Sequence, residues 1–205
     1  MNMLFDLTMQ QLLYRICGYL LVAGFHGYIL ATLCRLFGDD GPALDGRQTL
    51  NPAVHASFPA AALGALFLVS WIRPLNVDPA RFRFGRGSVV GIILLALLIT
   101  AALFPALGLA RILIAQFAPG TSGITALALL AVCQDFVFWF VAVNLIPWPP
   151  LTAGLTWNAI LPGSRWLRLK QPTFQVLLIV ATITGVTVAA ATPIYWAIKQ
   201  VSGTA

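Results

Sequence analysis

The chain has 205 residues, 60% of them hydrophobic and 9% charged, with a mean hydropathy of +0.89 and a formal net charge of +6. A soluble domain of this size cannot bury so much apolar surface, so the composition predicts an integral membrane protein. The positive charge calls for no nucleic acid, because a basic face against anionic lipid headgroups accounts for it.

Five stretches reach the roughly 20 apolar residues that cross a bilayer as a helix. They are residues 12–36, 53–72, 88–109, 123–147 and 174–198. Runs such as "VVGIILLALLITAALF" lack the polar–apolar alternation of a membrane barrel strand. The expected fold is therefore all-α, one polytopic helical bundle over residues 1–205. The start, "MNMLFDLTMQQLL", has neither a basic region nor a small-residue cleavage site, so no removable signal peptide is expected. Cys17, Cys34 and Cys133 lie in apolar segments without metal-binding spacing and read as buried free thiols.

Five spans put two basic loops on the N-terminal side: Arg73, Arg81, Arg83 and Arg86 in one, Arg165, Arg168 and Lys170 in the other. Arg35, Arg47, Arg111 and Lys199, with Asp39, Asp40 and Asp45, fall opposite. The excess predicts a cytoplasmic N-terminus in a bacterial-type inner membrane. Trp71, Trp148, Trp166 and Trp196 stand near span ends, as interfacial anchors do.

In chain order, the first span carries a lone histidine, His26, in "AGFHGYILATLCRLFGDD". Residues 37–52, "FGDDGPALDGRQTLNP", are dense in turn formers. Residues 71–87, "WIRPLNVDPARFRFGRG", hold two prolines and four arginines and cannot be one helix in the bilayer. Gly46, Pro52, Pro74 and Pro79 set turns in these loops. Arg81, Arg83 and Arg86 form a basic face for lipid phosphates or for solvent. Asp135 stands in the middle of the fourth span, where a charge costs about 3 kcal/mol or more and must be paired, protonated or turned inward. Residues 144–163, "NLIPWPPLTAGLTWNAILPG", stay apolar, yet Pro147, Pro149 and Pro150 remove backbone donors and end the helix. Such backbone survives at membrane depth only against protein or a wet cavity. The strip is thus expected to be re-entrant or interfacial, with Asn144 supplying hydrogen bonds at the break.

"GDDGPALDGRQTLNP", "WIRPLNVDPARFR" and "NLIPWPPLTAG" resemble, in order and spacing over residues 20–162, the landmarks of the site-2 protease family of membrane-embedded zinc metalloproteases. In that family an HExxH helix leads to a G-D turn and a G-R-x-T-L-N-P loop followed by histidine. A tryptophan-basic-proline stretch and N-x-x-P-x-P-P-L-D-G complete the set. The resemblance implies that His26 matches the first histidine of HExxH, Gly27 the glutamate and Leu30 the second histidine. Thr152 stands at the aspartate of L-D-G, His55 at the histidine after N-P, and "LLALLI" where A-G-P-x-x-N is expected. Two histidines one turn apart and a carboxylate hold zinc, and the glutamate acts on its water as general base. Only one of the three ligands remains, and all six acidic residues are aspartates. The resemblance thus implies a degenerate member without protease activity.

His26 has three readings: a histidine bonded within the bundle beside Gly24 and Gly27, a surviving zinc ligand, or an axial ligand to a haem or chlorophyll-type tetrapyrrole. His55 is expected to satisfy loop backbone at the start of the second span. Asp135 is expected to bond to another span or to a partner. No cofactor is required. The expected function is that of a pseudoprotease, an accessory, scaffold or assembly subunit whose transmembrane partner packs on small residues such as Gly64, Gly91 and Gly123. The alternatives are an atypical zinc protease reassembled from His26, His55 and Asp135, or a pigment- or haem-binding subunit using His26.

Overall fold

The computed structural model describes residues 7–118, 120–161 and 172–201, and among these the chain is all-helical with no strand. Helix α1 (Met9–Phe37) opens on a capping box, in which Thr8 and Gln11 exchange side-chain and backbone hydrogen bonds, and closes on Gly38 with φ 115°. Three short helices come next: α2 (Gly41–Leu44), α3 (Pro52–His55) and α4 (Phe58–Phe67). Helices α5 (Ser88–Ala101) and α6 (Leu103–Phe117) make one long apolar rod interrupted at Ala102. Pro105 explains the interruption, since it has no N–H to offer the preceding turn. Helix α7 (Thr121–Asn144) leads to a 3-10 turn (Thr152–Leu155), α8 (Thr156–Ile160), α9 (Pro172–Ile183) and α10 (Val186–Val201).

Helix α1, the α5–α6 rod and α7 are each long and apolar enough to cross a membrane, and the chain is read accordingly as an integral membrane protein. The α9–α10 pair bends by 76° and counts as a further crossing only if the two halves act together. Gly18 packs on Phe136 and His26 on Phe140, so α1 and α7 run side by side in one direction. Helix α5 runs back along α1, with Phe84 ahead of it touching Phe37 and Thr100 near its end meeting His26.

Residues 53–72 do not form the expected span. Helix α4 has ten residues, the chain turns at Leu68 (φ 61°), and residues 69–78 continue without helix. The apolar side chains that raise the hydropathy there, Val69, Trp71, Ile72 and Leu75, are buried in the protein rather than in lipid. Trp71 is accordingly a core residue and no interfacial anchor, while Trp148 and Trp196 are exposed. Cys34 and Cys133 are buried, but Cys17 is exposed on α1. Trp166, Arg165, Arg168 and Lys170 lie outside the described residues.

Losing that span relocates the basic loop. Arg83 N–H donates to the Phe37 carbonyl at 2.9 Å, and the buried Asp39 accepts Gly41 N–H at 3.0 Å and Asp78 N–H at 2.8 Å. Both loops therefore sit at the C-terminal end of α1. The premise that residues 73–87 share a side with the N-terminus, and with it the argument for a cytoplasmic N-terminus, is overturned.

Side chains hold the non-helical segment in place. Asn144 donates to Ser70 O at 2.9 Å, Tyr19 to Trp71 O at 3.3 Å, and Asn158 to Val77 O at 2.7 Å. The Arg47 guanidinium donates to the carbonyls of Val54 and Arg73. Backbone that lacks a helical partner is thereby satisfied without water.

Candidate functional site

His26 lies near the middle of α1 with no exposed surface. Its Nδ1 is 2.8 Å from Thr100 Oγ1, and its Nε2 is 3.0 Å from Thr152 Oγ1. The Thr100 hydroxyl also reaches Ala96 O at 2.7 Å, and the Thr152 hydroxyl reaches Asn144 Oδ1 at 3.0 Å. A neutral imidazole donates from one nitrogen only, and each hydroxyl has a single proton. One threonine must therefore turn its proton onto the ring, and either choice leaves both ring nitrogens satisfied inside the protein. Asn144 continues the chain, accepting Thr152 N–H at 3.0 Å and donating to Ser70 O and Phe140 O, each at 2.9 Å. Thr100, His26, Thr152, Asn144 and Ser70, all buried, thus link α5, α1, the proline-broken strip and the end of α7 to the extended segment.

His55 adjoins this chain. Its Nε2–H donates to Thr49 O at 2.8 Å, and its ring covers Gly27 so closely that a Cβ there would stand 2.1 Å from His55 Nδ1. At Gly24 a Cβ would stand 2.6 Å from the Leu50 carbonyl. The pair of glycines makes α1 flat where the 49–55 loop docks. His55 Nδ1 is buried and has no hydrogen-bond partner among the described residues. Burial, and secondarily the nearby Arg47 charge, hold the His55 pKa below 6.5 against the opposing effect of the Thr49 carbonyl. The unfolded chain therefore takes up the proton first, and stability contributed by neutral His55 declines as pH falls through about 6.5. Unfolding midpoints in mild detergent should be level above pH 7.5 and drop below 6.5, with the acid limb shallower in His55→Ala.

Besides the Gly27–His55 contact, the structure brings together three more of the positions that the resemblance singles out. His26 and Thr152 are hydrogen-bonded, and Leu30 and Thr152 line one pocket of about 130 Å³ with Leu75, Pro149 and Phe174. Among the described residues no group of three or more His, Cys, Asp or Glu could hold a metal ion. His26 has no lone pair free for zinc, and the residues present do not fit that ion. A tetrapyrrole does not fit either. Both His26 nitrogens are taken, and the pocket of about 130 Å³ that Thr152 lines does not include His26 and is far below the ~300–1,000 Å³ usual for cofactor sites.

Asp135 does not join the two histidines: the three form no metal-holding group among the described residues, and Asp135 lines a recess with Gln11, Arg15 and Leu68. It accepts the Tyr195 hydroxyl at 2.7 Å, and the Tyr195 ring stacks on Trp139 at 4.5 Å. Asparagine can accept the same bond, so Asp135→Asn should change stability by less than about 1 kcal/mol, whereas Asp135→Leu should cost about 1–2 kcal/mol. Thermal unfolding of the two variants distinguishes a hydrogen-bond acceptor from a required charge. Arg81, Arg83 and Arg86 are exposed, and Arg81 pairs with Asp78 at 3.4 Å.

Thr100 and Tyr19 are site and scaffold residues that no sequence motif marks. The available signal was a hydroxyl or a phenol next to apolar runs, where a polar group needs a partner. No protein-family model, curated protein or solved structure matches the chain.

Proposed function

We propose that this protein is a non-catalytic relative of the site-2 proteases and serves as an accessory, scaffold or assembly subunit of a larger membrane protein complex. The observation that carries the reading is the closure of the polar centre. His26 commits both ring nitrogens to threonines, and the His55 ring fills the space that a side chain at position 27 would need. Zinc-dependent peptide hydrolysis needs a metal-bound water and a base beside it, and both positions are taken by packing. The proline-broken strip, re-entrant in this reading, and the 130 Å³ pocket remain as a scaffold around that centre.

Of the three glycines considered for partner packing, Gly64 is covered by Phe136 and Ser70, and Gly123 abuts Ala118. Gly91 is open, between exposed Val90, Leu94 and Leu98 on α5. This face is where the partner helix packs in our reading. Arg35, Arg81, Arg83 and Arg86 gather at one end of α1. By the positive-inside rule that end faces the cytoplasm of a bacterial-type inner membrane, with the N-terminus opposite.

Extraction from native membranes in mild detergent, followed by mass spectrometry of the proteins that co-migrate at fixed stoichiometry, tests the subunit role. A constant membrane partner is expected; a chain that migrates alone sinks it. The ancestry is tested by restoring ligands. Leu30→His with Thr152→Asp should give, with His26, about one zinc per chain by elemental analysis. A folded double variant that retains no zinc would remove the proposed correspondence of positions.

A further inference from the structure

The basic loop does not present its three arginines equally. Arg81 and Arg83 line a cleft of about 600 Å³ together with Arg35, Leu36, Asp40 and Gln48 from the end of α1 and the loop beyond it. Arg86 is not part of its lining. We propose that this cleft binds a phosphate ester, and specifically the headgroup of an anionic phospholipid.

Two of the guanidinium groups are held in position. Arg35 Nε lies 3.3 Å from Asp40, and its Nη1 donates to Gln48 at 2.8 Å, while Arg81 is steadied by Asp78 at 3.4 Å. Arg83 has no carboxylate partner among the described residues. Three guanidinium groups against Asp40 and Asp78 leave one excess positive charge, and planar N–H forks match the oxygens of a phosphate. The cleft is at the end of a helix able to cross the membrane, which is the level of lipid headgroups. Leu36 and Phe84 beside it are 65% and 79% exposed, so apolar surface for acyl chains adjoins the charge. The sequence groups Arg81, Arg83 and Arg86 as one lipid-facing stretch; the fold adds Arg35 and leaves Arg86 out. This inference rests on the membrane assignment and is independent of whether the polar centre descends from a protease.

The test is native mass spectrometry of the delipidated chain in detergent with phosphatidylglycerol or phosphatidylcholine added. Phosphatidylglycerol should be retained in preference. Arg81→Gln with Arg83→Gln should weaken that retention roughly thirtyfold, and Arg83→Gln alone roughly fivefold, at about one basic contact each. Arg86→Gln should behave as the parent chain. Equal retention of the two lipids, or an Arg86→Gln loss as large as that of the pair, would overturn the site. If the pair variant melts early, the single Arg83→Gln variant, which breaks no ion pair, decides alone. Soluble glycerol phosphate separates the sources: failure to displace the lipid supports a headgroup site, and displacement at matched concentration overturns the lipid assignment.

Discussion

Asn144→Leu should destabilise the protein by about 4 kcal/mol, read as a large drop in the unfolding midpoint in mild detergent. Asn144 is fully buried and makes four hydrogen bonds, to Ser70 O, Phe140 O, Thr152 N–H and the Thr152 hydroxyl. Phe140 O keeps its helical partner and the Thr152 hydroxyl can turn to His26. Ser70 O and Thr152 N–H, by contrast, are left buried and unpaired, at about 1–3 kcal/mol each. Leucine keeps asparagine's branched skeleton and is larger, so the loss reports the hydrogen bonds and some overpacking rather than a cavity. Asn144→Asp is no substitute, because it deletes both N–H donors and buries a charge. A leucine variant within about 1 kcal/mol of the parent would show that the strip and the extended segment are held by packing alone.

Gly27→Ala is the second large effect, at about 3 kcal/mol. The added Cβ would stand 2.1 Å from His55 Nδ1, so the ring must leave its place and give up its 2.8 Å bond to Thr49 O. Overpacking of this kind costs about 1–3 kcal/mol, and the lost bond adds roughly 1. His55→Ala alone should also destabilise, by opening a cavity. The double variant should be little worse than His55→Ala, because the shortened side chain removes the clash. That non-additivity, about 2 kcal/mol or more between neighbours in contact, is the readout. Additive losses would mean that the histidine does not rest on Gly27. Gly27→Glu, with a longer side chain at the same point, should fare worse than alanine in the His55 background.

The membrane class and the helical fold could be read from residues alone, because 60% hydrophobic composition and long unalternating runs leave no other way to satisfy the backbone. The end of α7 was also legible. Pro147, Pro149 and Pro150 cannot donate, so the helix stops at Asn144 and a polar side chain is needed to bond the backbone of the proline-broken strip. The fate of residues 53–72 was not legible. Hydropathy reports that Trp71, Ile72 and Leu75 avoid water, and it is blind to whether lipid or protein surrounds them. An extended segment also needs acceptors and donors supplied from elsewhere, and here they come from Tyr19, Arg47, Asn144 and Asn158. For the same reason the lone histidine of the first span could be noticed but not explained. Its two partners stand 74 and 126 residues away, Thr100 in an apolar run and Thr152 beyond three prolines. Local pattern sets which residues must be buried and where a helix must stop. Which distant groups then meet to offset the burial of a polar ring is a property of the packed bundle, since hydrogen bonds between side chains leave no periodicity in the chain.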